Sequence, residues 1–464
     1  MFALDEKTVG AISSILNDTN YKKNIDYLRE VFVATRSQGN RYNASFLLSA
    51  QLTLANFQSD VWKMLREGRR LKKEIKDKNY PTKTEELQGI EYQIVINKQL
   101  LRISKVIADG MAWRNMSYDR MLMDIASRAF GTGAIDAEAS DFQSELAWAF
   151  IISKKFNATV FVNDLTNYLR IGDLTEIRGE EIFVHEIKKL GEKVNNVFTL
   201  NDKKKLTKQS KRLLEFQEVA KTKVIDFNGK KVSSVTINVR LQNHFRKIVG
   251  LLENARRNGT AEIKIEPYLT VHATSFHDSS KLDFTKGILN IPTAEKGFTV
   301  VHSNWDSFYS DGLGNFMRLM LPYSISPFKN SYCMDLMSGH LLLTTALNIE
   351  GLKQAFKNKG WEIEEFDEKE LDKDLAEMEK NKETIFSGEK LITTSTYSSS
   401  YYFMLRRGPF AFPIDTKISI NMTYEFLTFE TINQFAENAY SRAEKKQKDE
   451  IYYPIFADDK KIWN

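Results

Sequence analysis

Between Asn24 and Met111 the apolar residues recur every three or four positions, and the stretches Asn24 to Ala34, Asn43 to Leu65 and Glu85 to Met111 each predict an amphipathic helix. The spacing stays helical from Gln143 to Lys155 and then shortens to two. Ala158 to Val162 and Tyr168 to Ile171 read as short strands, with Gly172-Asp173 closing the second. A turn at Arg178-Gly179 leads into Glu181 to Lys188, a β-branched and aromatic strand, and Lys208 to Arg212 opens a further helix. The strand Val232 to Arg240 and the helix Leu241 to Arg257 follow.

Beyond Asn258-Gly259 the texture changes. Strand-like runs Tyr268 to Phe276, Gly297 to His302, Lys390 to Met404 and Lys417 to Phe429 are separated by Pro322, Pro327, Pro409 and Pro413. Glu362 to Lys382 is an acid-heavy stretch, helical or flexible. Seven of the eight prolines lie at or after Pro267, so the first half reads as helix-rich and the last part as strand-rich. The expected fold class is α/β multidomain: an all-helical region over 1–130, an α/β core over 134–258 entered through a hinge at Gly131-Thr-Gly133, and a strand-rich α+β domain over 259–464. No internal repeat is evident.

Candidate chemistry concentrates in the middle region. Period two puts Glu186 and Lys188 on one face of a strand, and the preceding hairpin brings Asp173 alongside, so two carboxylates and an ammonium converge. Carboxylate oxygens suit Mg²⁺ or Mn²⁺, which activate water and stabilise charge on a phosphodiester. Glu145, one helix upstream, would complete the ligand shell or orient a bound water; Gln209 and Arg212 would position the phosphate or the Glu-Ile-Lys strand. Glu-Ile-Lys occurs three times, at Glu74, Glu186 and Glu262. Glu74 lies in a charged helical run and reads as solvated surface, whereas Glu262 has no Asp-ended strand before it; the full series belongs to Glu186 alone.

The run Glu145 … Gly172-Asp173 … Glu186-Ile-Lys188 … Gln209 resembles the PD-(D/E)xK nuclease superfamily, with its restriction-endonuclease-like α/β core. The resemblance spans roughly a quarter of the chain, and Gly172 stands where the nominal motif has proline. It implies an Mg²⁺-dependent endonuclease, with Asp173, Glu186 and Glu145 as metal ligands and Lys188 as the catalytic lysine. The alternative is a nucleic-acid-binding or assembly protein that keeps the fold without cleaving, partnering a short Argonaute.

Charge and cysteine content sharpen this picture. The formal net charge of +5 is mild, but Lys188 to Arg212 holds nine Lys/Arg against two acids. Within it Lys203, Lys204, Lys205, Lys208, Lys211 and Arg212 form a basic loop suited to a phosphate backbone, with DNA expected ahead of RNA. A second basic segment, Lys63 to Lys78, reads either as a nucleic-acid contact or, as exposed helical Lys/Arg faces more often are, as a solubilising face. The single cysteine, Cys333, excludes an intrachain disulfide and fits a cytoplasmic protein with a packed thiol. No span of about 18 apolar residues and no leader is present, so no membrane role is expected. The six histidines build no zinc site: His272 and His277 fall on opposite strand faces, His302 and His340 read as core or turn residues, and His185 points away from Glu186's face. Phosphate-binding, dinucleotide and hydrolase-elbow motifs are absent. Asp109 to Arg114 reads as a packed hinge, and the aromatic, Ser/Thr-rich strands of 259–464 as a surface for a protein partner or a second copy of the chain. Bacterial restriction or anti-phage defence is the role expected of such a nuclease.

Overall fold

The computed structural model describes residues 6–38, 43–77, 83–119, 122, 123, 126, 140–169, 171–179, 181–185, 187, 216–222, 224–227, 230–237, 241–278, 299–304, 322–365, 391–393, 401–408, 410–446 and 451–456. In chain order the helices are α1 Glu6–Asn17, α2 Thr19–Ser37, α3 Ala44–Asp77, α4 Lys83–Asn115, α5 Ser140–Phe156, α6 Phe245–Asn258, α7 Asn330–Ser338, α8 Ile349–Asn358, α9 Thr416–Thr423 and α10 Phe429–Lys446. The strands are β1 Thr159–Val162, β2 Leu174–Arg178, β3 Glu181–His185, β4 Val224–Phe227, β5 Lys230–Ile237, β6 Thr260–Glu266, β7 Leu269–Ser275, β8 Thr299–Ser303, β9 Leu341–Asn348, β10 Glu362–Glu365, β11 Leu391–Thr393, β12 Tyr401–Arg407, β13 Phe410–Asp415 and β14 Ile451–Phe456. The protein is therefore a mixed α/β chain, and none of its described helices is long and apolar enough to cross a membrane.

Residues 18–234 form one compact unit; residues 1–17 with 235–464 form the other. This division joins α2, α3 and α4 to the β1–β3 region, which the sequence pattern separates near residue 130, and puts α1 with the other unit.

In the 18–234 unit, Asp18 caps α2 by accepting the Tyr21 amide at 2.8 Å, and Tyr21, Ile25, Leu28 and Phe32 bury one stripe of that helix. The helices α3 and α4 run antiparallel. Lys72 pairs with Glu91 at 2.7 Å, and one turn away a Cβ added to Gly68 would lie 3.0 Å from Ile94 Cγ1, so glycine allows the close approach. The charged face of α3 is solvated as its composition suggests: Arg70 pairs with Glu67 and Glu74, each at 2.5 Å. From Gln99 to Asn115 the helix α4 is buried almost all round. Strands β1, β2 and β3 make an antiparallel sheet in that order, with Val160 opposite Glu176 and Glu176 opposite Phe183.

In the other unit a five-stranded sheet, ordered β11-β8-β9-β7-β6, is antiparallel except for the β11–β8 pair. Strand β9 is buried along its whole length, the pattern of a central strand. A smaller antiparallel sheet, β10-β12-β13, shares a core with β9, α8, α9 and α10. Leu269, Leu347, Leu352, Phe356, Trp361, Phe403, Leu405, Ile414 and Phe435 are its buried centre.

Three sequence expectations change here. Lys417 to Phe429 is not a strand: its first part is α9, capped by Asp415, whose carboxylate accepts the Ile418 amide at 3.0 Å, with Ile420 and Met422 buried. Tyr168 to Ile171 forms no strand over its described residues 168, 169 and 171, and Gly172-Asp173 precedes β2 rather than closing a strand. Of the acid-heavy stretch, residues 362–365 form β10 and the remainder lies outside the described residues.

Candidate active site

The mouth of the β2–β3 hairpin is built around Asp173. Its N–H donates to the His185 carbonyl at 2.8 Å, and its carboxylate Oδ2 accepts the Ile187 N–H at 2.5 Å. These two bonds bracket position 186. Gly172, just before, has φ +68°, and an added Cβ would meet Val184 Cγ1 at 2.6 Å and the His185 carbonyl at 2.8 Å. Glycine is required there both by backbone conformation and by the close approach of β3.

Buried Asn163, at the end of β1, organises the other side of this mouth. Its Nδ2 donates to the carbonyls of Ile171 at 2.8 Å and Gly172 at 3.1 Å, while its Oδ1 accepts the Thr175 hydroxyl at 2.8 Å. Its N–H donates to the Asp173 carbonyl at 2.9 Å. A second clamp comes from α4: buried Asp109 accepts from the Asn167 N–H at 2.6 Å, the Asn167 side-chain amide at 2.8 Å and the Tyr168 N–H at 3.3 Å. Burial raises the Asp109 carboxyl from its ordinary 3.8 to about 6, against the lowering effect of those donors. Trp113, one turn further along α4, meets the Tyr168 ring edge-on at 5.5 Å. The Asp109 to Arg114 motif thus fixes the loop that delivers Gly172-Asp173.

Glu176 is fully buried in the middle of β2 and accepts from Arg178 and from His185 Nε2, the latter at 2.8 Å. Alternation places Glu176, Arg178, Phe183 and His185 on one sheet face. His185 therefore turns toward Glu176. The residues missed in the sequence are Glu176, Asn163 and Asp109; the available hint was three polar side chains inside otherwise apolar segments, where each must find a partner.

Of the residues expected at the site, Asp173 lies at the hairpin mouth and Glu145 is buried on α5. Glu186, Lys188 and Gln209 lie outside the described residues, as do the basic-loop residues Lys203, Lys204, Lys205, Lys208, Lys211 and Arg212. The hinge 131–133 also lies outside them. Among the described residues no three His, Cys, Asp or Glu side chains converge as a metal site, so Asp173 and Glu145 do not close one without a residue from beyond that set.

Of the remaining histidines, His272 is half-buried on β7, where desolvation lowers its pKa to about 4, and His277 and His340 have side-chain partners. His277 Nε2 meets the buried Asp335 carboxylate at 2.6 Å, where Arg256 also binds, and its ring stacks on His340 at 5.1 Å. His340 Nδ1 lies 2.8 Å from the Ser338 hydroxyl. Cys333 is buried, its thiol directed at the Phe328 carbonyl at 3.5 Å.

No family model matches the chain, and neither curated proteins nor solved structures give a match.

Proposed function

We propose that the α5–β1–β2–β3 region is the core of a metal-dependent nuclease of the PD-(D/E)xK type, cleaving phosphodiester bonds of DNA. The observation that carries this reading is the bracketing of position 186 by Asp173, through its N–H to His185 and its carboxylate to the Ile187 N–H. Glu186 and Lys188 are the next acidic and basic residues after β3, one step and three steps beyond His185. The donor chemistry fits a hard divalent ion: Asp173, Glu186 and Glu145 offer carboxylate oxygens, and no sulfur or imidazole competes in that set. Mg²⁺ or Mn²⁺ bound there would polarise the scissile phosphate and acidify a bound water.

The chain's own residues have separable tasks. Asp173 holds its carboxylate in place through the Gly172 turn and the Asn163 bonds, so little reorganisation is needed on binding. Lys188 places a positive charge beside the phosphate, and the basic loop from Lys203 to Arg212 draws the backbone in. The 259–464 region, with no catalytic series of its own, serves target or partner recognition.

Purified protein incubated with circular DNA, linear DNA and RNA under Mg²⁺, Mn²⁺ or EDTA tests the proposal. Asp173→Asn and Glu186→Gln should each lower divalent-dependent cleavage by about 100-fold or more, several kcal/mol of transition-state stabilisation. Cleavage undiminished in the double variant removes the site. A second reading, a fold retained for nucleic-acid binding or assembly with a short Argonaute, draws on the Asp173 carboxylate's bond to the Ile187 N–H, which gives that side chain a main-chain role of its own. Nucleic-acid binding without cleavage under any divalent ion selects it.

A further inference from the structure

The helix α5 buries Phe142, Glu145, Ala149 and Ile152 at helical spacing, yet Phe150 and Ile151 turn away from that stripe, and Phe156 ends the helix on the stripe's own side. Phe150 is 58% exposed, Ile151 48% and Phe156 41%. Single exposed apolar residues are ordinary; three within seven positions on one helix are not. Each aromatic ring carries a cation. Lys154 Nζ lies 6.0 Å from the Phe150 centroid, Lys155 Nζ lies 5.1 Å from that of Phe156, and the Arg178 guanidinium lies 3.5 Å from Phe156 and 4.8 Å from Phe183. Arg178 is anchored from below by the buried Glu176. No carboxylate stands among the described exposed positions of α5.

We infer that the face of α5 carrying Phe150, Ile151, Lys154 and Lys155 is a platform for a single-stranded segment of nucleic acid. An exposed ring can stack on a base only where the base is unpaired, and ammonium groups beside it meet the adjoining phosphates. Stacking is indifferent to base identity, so the platform gives strand-type preference rather than sequence preference. The charge pattern separates this occupant from a second copy of the chain: a symmetric contact through this face would set one positively charged patch against another, with no acid among its described exposed positions to offset it.

The inference rests on the nuclease reading for its place beside the active site, but its test does not require cleavage. The full chain is titrated in EDTA against a fluorescein-labelled single-stranded oligothymidine of about 20 nucleotides and against a duplex of the same length. The expected result is tighter binding of the single strand, weakened about 5-fold or more by Phe150→Ala, the loss of one stacked base. Duplex affinity should be unchanged by that substitution. Lys154→Gln with Lys155→Gln should flatten the slope of log affinity against log salt by about 1.4, two phosphates' worth for a single strand. Phe150 is exposed, so both variants keep the fold, as circular dichroism would confirm. Unchanged single-strand affinity in both variants overturns the inference. So does Phe150→Ala converting a dimer to a monomer in light scattering with single-strand affinity intact, which assigns the face to self-association. Failure of the nuclease reading is a separate result: no divalent-dependent cleavage while the single-strand binding and its loss persist.

Discussion

The two compact units solve the problem of holding a β-sheet in different ways. In the 235–464 part the three-stranded β10-β12-β13 sheet is held by apolar packing: Phe356 meets Phe429 and Phe403 edge-on at 4.8 and 6.1 Å, and Trp361 adds one hydrogen bond, 3.0 Å, to Asn433. The β1-β2-β3 sheet of the 18–234 unit has the same number of strands and is held differently. Its edges and loops are held instead by buried polar side chains: Gln51 against β1, and Asn163 and Asp109 at the loop before β2, each bond several main-chain groups, while Glu176 within β2 binds the Arg178 and His185 side chains. Apolar packing tolerates substitution of similar volume; a polar clamp tolerates almost none, because the groups it leaves behind are buried and unpaired. The catalytic candidates lie in the clamped unit, where position rather than bulk stability is at stake.

The sharpest break in this comparison comes from opposite kinds of damage. Phe356→Ala removes a fully buried ring from the larger core and should cost about 3–5 kcal/mol. Urea unfolding followed by hydrogen exchange should place that loss in 235–464, with the β9 amides exchanging faster. Protection lost equally in β1 and β2 would show that the two units do not differ energetically as described.

Asp109→Ala should cost about 2–4 kcal/mol, because three donors from Asn167 and Tyr168 lose their acceptor. Its pH dependence has a definite sign. The folded carboxyl titrates near 6, above its ordinary 3.8, so between those values the folded state binds more protons than the unfolded one. Stability from this group is full below about pH 4 and declines as pH rises through about 6, by about 3 kcal/mol at most. Asp109→Asn, which keeps the shape without the titration, should remove that decline. A stability profile between pH 4 and 6 that is identical in the parent and Asp109→Asn would mean that Asp109 is not the titrating group.

Much of the helical architecture was legible in the chain. Helices α2, α3 and α5 follow apolar spacing because each buries one stripe, and the pattern reports that burial directly, whereas α4 was legible although its second half is buried almost all round. Strand β1 and the turn at Gly179 were legible for the same local reasons. Thr416 to Thr423 was not: Ile418 and Ile420 alternate with polar residues as a strand would, but the Asp415 cap and burial of Met422 select a short helix. The loop from Tyr168 to Asp173 was illegible for a different reason. Its shape comes from Asp109, 58 positions earlier, and from Asn163, and no local window contains such a bond. The Gly172-Asp173 pair could be picked out as chemistry, yet its place before β2 could not.

The smallest effect is expected at Gln51, and it tests the clamp idea most directly. Among the described residues strand β1 is an edge strand, with β2 on one side only. On its open side the Gln51 side chain donates Nε2–H to the Val160 carbonyl at 2.7 Å and accepts the Val162 N–H on Oε1 at 2.8 Å. One side-chain amide thus makes the two bonds that a neighbouring strand would make. Gln51→Leu keeps the volume but strands a buried carbonyl and a buried N–H, at a cost of about 1–3 kcal/mol. Gln51→Glu separates the two bonds. An ionised carboxylate still accepts from Val162 but repels the Val160 carbonyl, whereas a protonated one restores both, so this variant should regain stability as pH falls below its carboxyl pKa. The readout is exchange of the Val162 amide, expected to accelerate in Gln51→Leu at neutral pH and to recover toward the parent rate, after correction for intrinsic exchange, in Gln51→Glu at low pH. If Val162 exchange is unaffected by both substitutions, β1 is held by apolar packing like the strands of the larger unit, and the contrast between the two units fails at its most specific point.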